Sequence, residues 1–115
     1  MILLFACSGK EKKCLELSKK INDTDASLTF AYTSQDAKTI KENVSKAKMS
    51  IKEVIENCGP DKCDCNVAAF DADLAKRFID EADSANDPIK INFFIDEAQK
   101  SLKKAFDDAD NCSKK

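Results

Sequence analysis

The chain's 115 residues can build one hydrophobic core but not two, and 43% apolar content beside 35% well-mixed charge describes a globular domain, not a disordered one. A net charge of −2 leaves no basic face to neutralise phosphates, so nucleic acid is not an expected partner. With no histidine or tryptophan, only two glycines and two prolines, and no nucleophile elbow or phosphate loop, the chain fits neither a hairpin-rich β fold nor an enzyme, and no cofactor is expected.

The head, Met1-Ile2-Leu3-Leu4-Phe5-Ala6-Cys7, is an apolar run that ends in a small residue and a cysteine. It resembles the end of a bacterial lipoprotein signal peptide, with Leu4 three before, Ala6 just before, and Cys7 at the acylated position of the lipobox. The run differs from that pattern at Phe5, bulky for its slot, and no basic segment stands before it. The resemblance implies that 1–6 is a signal remnant, that Cys7 carries a lipid, and that 7–115 is the single helical domain. The run is far short of the roughly 20 apolar residues that span a bilayer, so any membrane association is expected through that lipid alone. On the other reading the head packs on the domain and Cys7 enters a disulfide.

From Cys14 onward the apolar positions Leu17, Ile21, Thr24, Leu28 and Ala31 step by three and four, which predicts a first helix of about five turns. Its weak point is Asn22-Asp23-Thr24-Asp25, poor in helix propensity. Thr33 or Ser34 then offers a cap for a second helix, with Asp36 near its positive end. That helix carries Ala37, Ile40, Val44, Ala47, Ile51, Val54 and Cys58 on one seam and is stopped by Gly59-Pro60. A third helix is expected from about Asp64, burying Val67, Phe70, Leu74, Phe78 and Ala82, with Ile79 at the margin. Asp87 followed by Pro88 opens a fourth, whose stripe is Ile91, Phe94, Ile95, Ala98, Leu102, Ala105, Phe106, Ala109 and Cys112.

The halves look alike at an offset of 51 residues: Cys7 falls on Cys58, Cys14 on Cys65, Ala31 on Ala82, Asp36 on Asp87, Ile40 on Ile91, Ala47 on Ala98, Ser50 on Ser101 and Lys52 on Lys103. The expected fold is therefore all-α, an antiparallel up-down four-helix bundle of two similar αα-hairpins, 7–58 and 63–112.

In that topology all six cysteines fall at helix ends sharing one pole. An even count in a small helical domain points first to an oxidising compartment and to disulfides stapling that pole. The repeat suggests Cys14 with Cys58 and Cys65 with Cys112, leaving Cys7 for Cys63, unless Cys7 is acylated and one thiol is left over. The alternative is a thiolate site for zinc or copper(I) built on Cys58, Cys63 and Cys65, a chemistry soft sulfur ligands favour.

Phe70, Phe78, Phe94 and Phe106 are expected to fill the core, whereas Phe30, Tyr32 and Phe93 are candidates for an exposed binding patch. The repeated Asp80-Glu81 and Asp96-Glu97 pairs follow apolar doublets as solvated helix flanks do. The expected role is that of an exported binding or structural protein, tethered in the periplasm or cell envelope through Cys7. Its expected partner is an unidentified protein or a small apolar ligand.

Overall fold

Helix α1 runs unbroken from Ile2 to Thr33, straight through the stretch of poor propensity. Its hydroxyls are satisfied within it: Thr24, inside that stretch, donates to the Lys20 carbonyl at 3.0 Å, and further along Thr29 donates to Asp25 at 3.1 Å and Thr33 to Thr29 at 3.0 Å. Each back-bond lets a residue that usually competes with the helix satisfy itself inside it. Thr24 can therefore sit in the core with Cys14, Leu17, Ile21, Leu28 and Ala31, and the whole predicted stripe is buried. The structure, a computed structural model, describes the backbone of residues 2–114 and the side chains of residues 12–114. The side chains of the apolar head and of Cys7 lie outside that range.

The cap position of α2 (Ala37–Glu56) is Asp36, in extended conformation and two residues beyond Ser34, and its side chain bonds to no helix amide. Thr33 is committed to its own helix, and the Ser34 hydroxyl accepts the Asp36 amide at 3.2 Å. The Asp36 carboxylate accepts the Thr39 hydroxyl at 2.8 Å, which fixes the first turn of α2. Val44, Ala47, Ile51 and Val54 are buried and Ile40 packs at the margin, but Ala37 is exposed in that first turn.

Helix α3 spans Asn66–Ser84, starting two residues after the expected Asp64, and α4 spans Pro88–Ser113. Asp87 caps α4 by accepting the Ile89 amide at 3.0 Å, with Pro88 in the first helical position. Helix α1 packs on α2 and α4, and α3 packs on α2 and α4. No diagonal pair of helices touches among the described residues, so the four form an up-down ring, 54 × 19 × 18 Å overall.

The face that α3 buries is not the expected one. Val67 and Phe70 are 57% and 70% exposed and Leu74 is half-buried, while Ala68, Ala72, Ala75, Ile79 and Ala82 are buried. The helix is turned by about one residue from the stripe that its bulkiest side chains mark. Alanine on the inner face lets the α3 backbone approach its neighbours closely, and Phe78 packs at the flank.

This correction restores the repeat. Moving the buried α1 positions 14, 17, 21, 24, 28 and 31 forward by 51 lands on 65, 68, 72, 75, 79 and 82, all buried. The α2 positions 44, 47, 51 and 54 land likewise on the buried Ile95, Ala98, Leu102 and Ala105. The two hairpins share one burial register.

Candidate functional site

Residues 57–65 join the hairpins and carry three of the six cysteines. Asn57 ends α2, and Gly59 follows with φ +142°, a conformation that glycine adopts without Cβ strain. Pro60 and Asp61 form the corner of a turn closed by the Lys62 amide on the Gly59 carbonyl at 3.0 Å. The chain is then pulled back on itself: the Cys63 amide donates to the Asn57 carbonyl, and the Gly59 amide to the Cys63 carbonyl, both at 3.1 Å. Lys13 of α1 reaches across to the Asp61 carbonyl at 2.6 Å, tying the turn to the first helix.

This clamp decides the disulfides. Cys63, held by its own amide and carbonyl and fully buried, bonds to Cys14 with the Cα atoms 4.7 Å apart. Cys65, the cap position of α3, bonds to Cys112 near the end of α4 across 6.1 Å. The suggested Cys14–Cys58 bond is therefore replaced by Cys14–Cys63. Cys58 instead turns back along α2, its thiol donating to the Val54 carbonyl at 3.3 Å, and has no disulfide partner among the described residues. Pairing of Cys7 with Cys63 is also excluded, because Cys63 is taken.

The observed bonds are related by the repeat. They start 51 residues apart, at Cys14 and Cys65, and close loops of 49 and 47 residues. A Cys14–Cys58 bond would have closed a loop of about 45.

The thiolate reading loses its ligands at the same time. Cys63 and Cys65 are both disulfide sulfurs, leaving Cys58 alone, and no group of three potential metal ligands exists among the described residues. Burial pushes the Cys58 thiol up from its ordinary value, so little thiolate is present near neutrality and the group is a poor nucleophile.

Beside the second bond, on the seam of α3 and α4, Asp108 is pushed up to about 6. Burial is the first cause, followed by the hydrogen bond and charge of Asp71 and the charge of Asp107; Lys104 pulls the other way. Sequence reading missed this pair, since nothing in the spacing of Asp71 and Asp108 announces that antiparallel packing sets them side by side.

The three candidate patch residues are exposed, at 66% for Phe30, 49% for Tyr32 and 57% for Phe93, but they do not make one surface. Phe30 and Tyr32, two residues apart on α1, point about 200° from each other around the helix. Phe93 stands edge-on to Phe94 with ring centroids 5.5 Å apart, over a shallow groove with Glu81, Ser84 and Lys90 between α3 and α4. Of the other phenylalanines, Phe78, Phe94 and Phe106 pack on the core and Phe70 is solvated.

Two disulfides mark a protein of an oxidising, exported environment, and no helix among the described residues is long and apolar enough to cross a membrane. Comparison with protein-family models, with curated proteins and with solved structures finds no match to this chain.

Proposed function

We propose that the protein is a small helical binding or structural module of a bacterial cell envelope, tethered through a lipid on Cys7, and not an enzyme. The observation that carries this reading is the cysteine arithmetic of the pole. From Cys14 onward there are five cysteines, four of them in two disulfides, and the one partner assigned to Cys7 by the competing reading is bonded elsewhere. Each hairpin is cross-linked by a bond that does not use Cys7, and acylation of Cys7 leaves Cys58 as the one unpaired thiol. A helix bundle fastened at the pole nearest its tether presents its grooves and its opposite pole to partners, as a surface-displayed module does.

The test is fractionation of cells that make the full reading frame, followed by peptide mapping without reduction. Membrane partition and acyl mass on a peptide beginning at Cys7 are expected, with Cys7→Ser releasing the protein to the soluble fraction. A Cys7 peptide recovered without acyl mass, cross-linked to Cys58, overturns the tether.

A further inference from the structure

Between α1 and α4 lies a groove of about 310 Å³, at the small end of the range for ligand pockets. Its floor is apolar: Ile21 and Leu102 are buried, and Phe106 is packed against the core beside them. The upper end is closed by Gln99, whose amide nitrogen donates to the Thr29 hydroxyl at 3.0 Å. That bond fixes the register of the two antiparallel helices. One turn down α1 from Thr29 is Asp25, and one turn along α4 from Gln99 is Lys103, so a carboxylate and an ammonium face each other at the same height across the mouth. Both line the groove, yet neither belongs to any ion pair among the described residues.

We propose that this groove binds a free α-amino acid with an apolar side chain. The charge pattern selects the class. A zwitterion places its ammonium on Asp25 and its carboxylate on Lys103, bridging two opposite charges that do not meet, while its side chain lies on Phe106, the one apolar lining residue that is not already fully buried. A purely apolar molecule leaves both charges idle, and the interior backbone of a peptide offers neither an α-ammonium nor an α-carboxylate. Asn22, on the α1 rim, supplies a neutral hydrogen-bonding group beside the pair. The inference rests on the binding role proposed above and is independent of the tether at Cys7. A ligand of about ten non-hydrogen atoms in so open a site binds weakly, with a Kd on the order of 1 mM.

The experiment is a titration of the ¹⁵N-labelled full chain with L-leucine, followed by amide shifts. Saturable shifts at Asp25, Lys103 and Phe106 are expected. N-acetyl-L-leucine and L-leucine amide, each lacking one charge, should bind at least fivefold more weakly, as should L-leucine to Asp25→Asn or Lys103→Gln, both of which alter only rim side chains. Absence of saturation, or equal binding of all three compounds, overturns the proposal. Acyl mass at Cys7 is read separately on the same chain, so failure here leaves the tether standing.

Discussion

The two hairpins bury the same positions with different residues. Where α1 places Leu17, Ile21 and Thr24 in the core, α3 places Ala68, Ala72 and Ala75 at the corresponding sites. The volume removed from the inner stripe returns at the flanks: Phe78 and Phe94 pack against the core where the first half has Ser27 and Asn43. The burial register is common to the two halves although the identities that fill it differ. An inner face can trade large side chains for close backbone approach, provided that bulk is restored beside the seam, because interiors tolerate redistribution of volume better than its loss.

The comparison can be broken most severely at the cysteines, which give both halves the same closure. Loops of 49 and 47 residues each contribute about 4 kcal/mol in the chain-entropy model. Cys14→Ser with Cys63→Ser, and Cys65→Ser with Cys112→Ser, should therefore destabilise to similar extents in urea unfolding. A difference of more than about 2 kcal/mol between the two pairs would show that the staples are not equivalent.

Exchanging one matched core pair is the next largest perturbation. Leu17→Ala should cost about 2–5 kcal/mol through the cavity it leaves, and Ala68→Leu about 1–3 kcal/mol through overpacking. Should Ala68→Leu stabilise the protein, the close approach inferred for α3 is wrong.

A third measurement sharpens the contrast, because Asp108 belongs to the second hairpin and its counterpart in the first is Asn57. Its carboxyl titrates near 6 when folded against an ordinary 3.8. The folded state thus holds a proton that the unfolded chain releases, and the stabilisation from this group, full below about pH 3.8, is lost as pH rises through about 6. Asp108→Asn should flatten the fall in stability across that window and raise the urea midpoint at pH 7. Parallel curves for the two proteins would dispose of the assignment.

The smallest effect is expected at Phe70. Exposed on α3, it should tolerate Phe70→Ser within about 0.5 kcal/mol, as surface positions do. A loss of several times that amount in thermal unfolding would return Phe70 to the core.

Where periodicity and size agree, the sequence reads directly into the structure. Every residue of the predicted α1 stripe is buried, as are Val44, Ala47, Ile51 and Val54 of α2 and Ile91, Ile95, Ala98, Leu102, Ala105 and Ala109 of α4. It misleads on α3 because Val67 and Phe70 outweigh alanines that carry little hydropathy but occupy the correct face. The repeat held the remedy, since the α1 stripe moved forward by 51 residues names the alanine face. Cys58 misled for a related reason. It stands nearer the end of α2 than Cys63, and only the backbone clamp at Gly59 brings Cys63 to Cys14. The Asp71–Asp108 contact and the groove of Asp25 and Lys103 depend on the register between helices, which no local pattern contains.

The two disulfides share a connector in which only Asp64 separates Cys63 from Cys65. When such a chain unfolds oxidised, it becomes a figure of eight, two rings of similar size meeting at one residue. Neither ring threads the other, so each can regain its helices without waiting for its twin. A single peptide-bond cut anywhere within either ring leaves every fragment covalently attached.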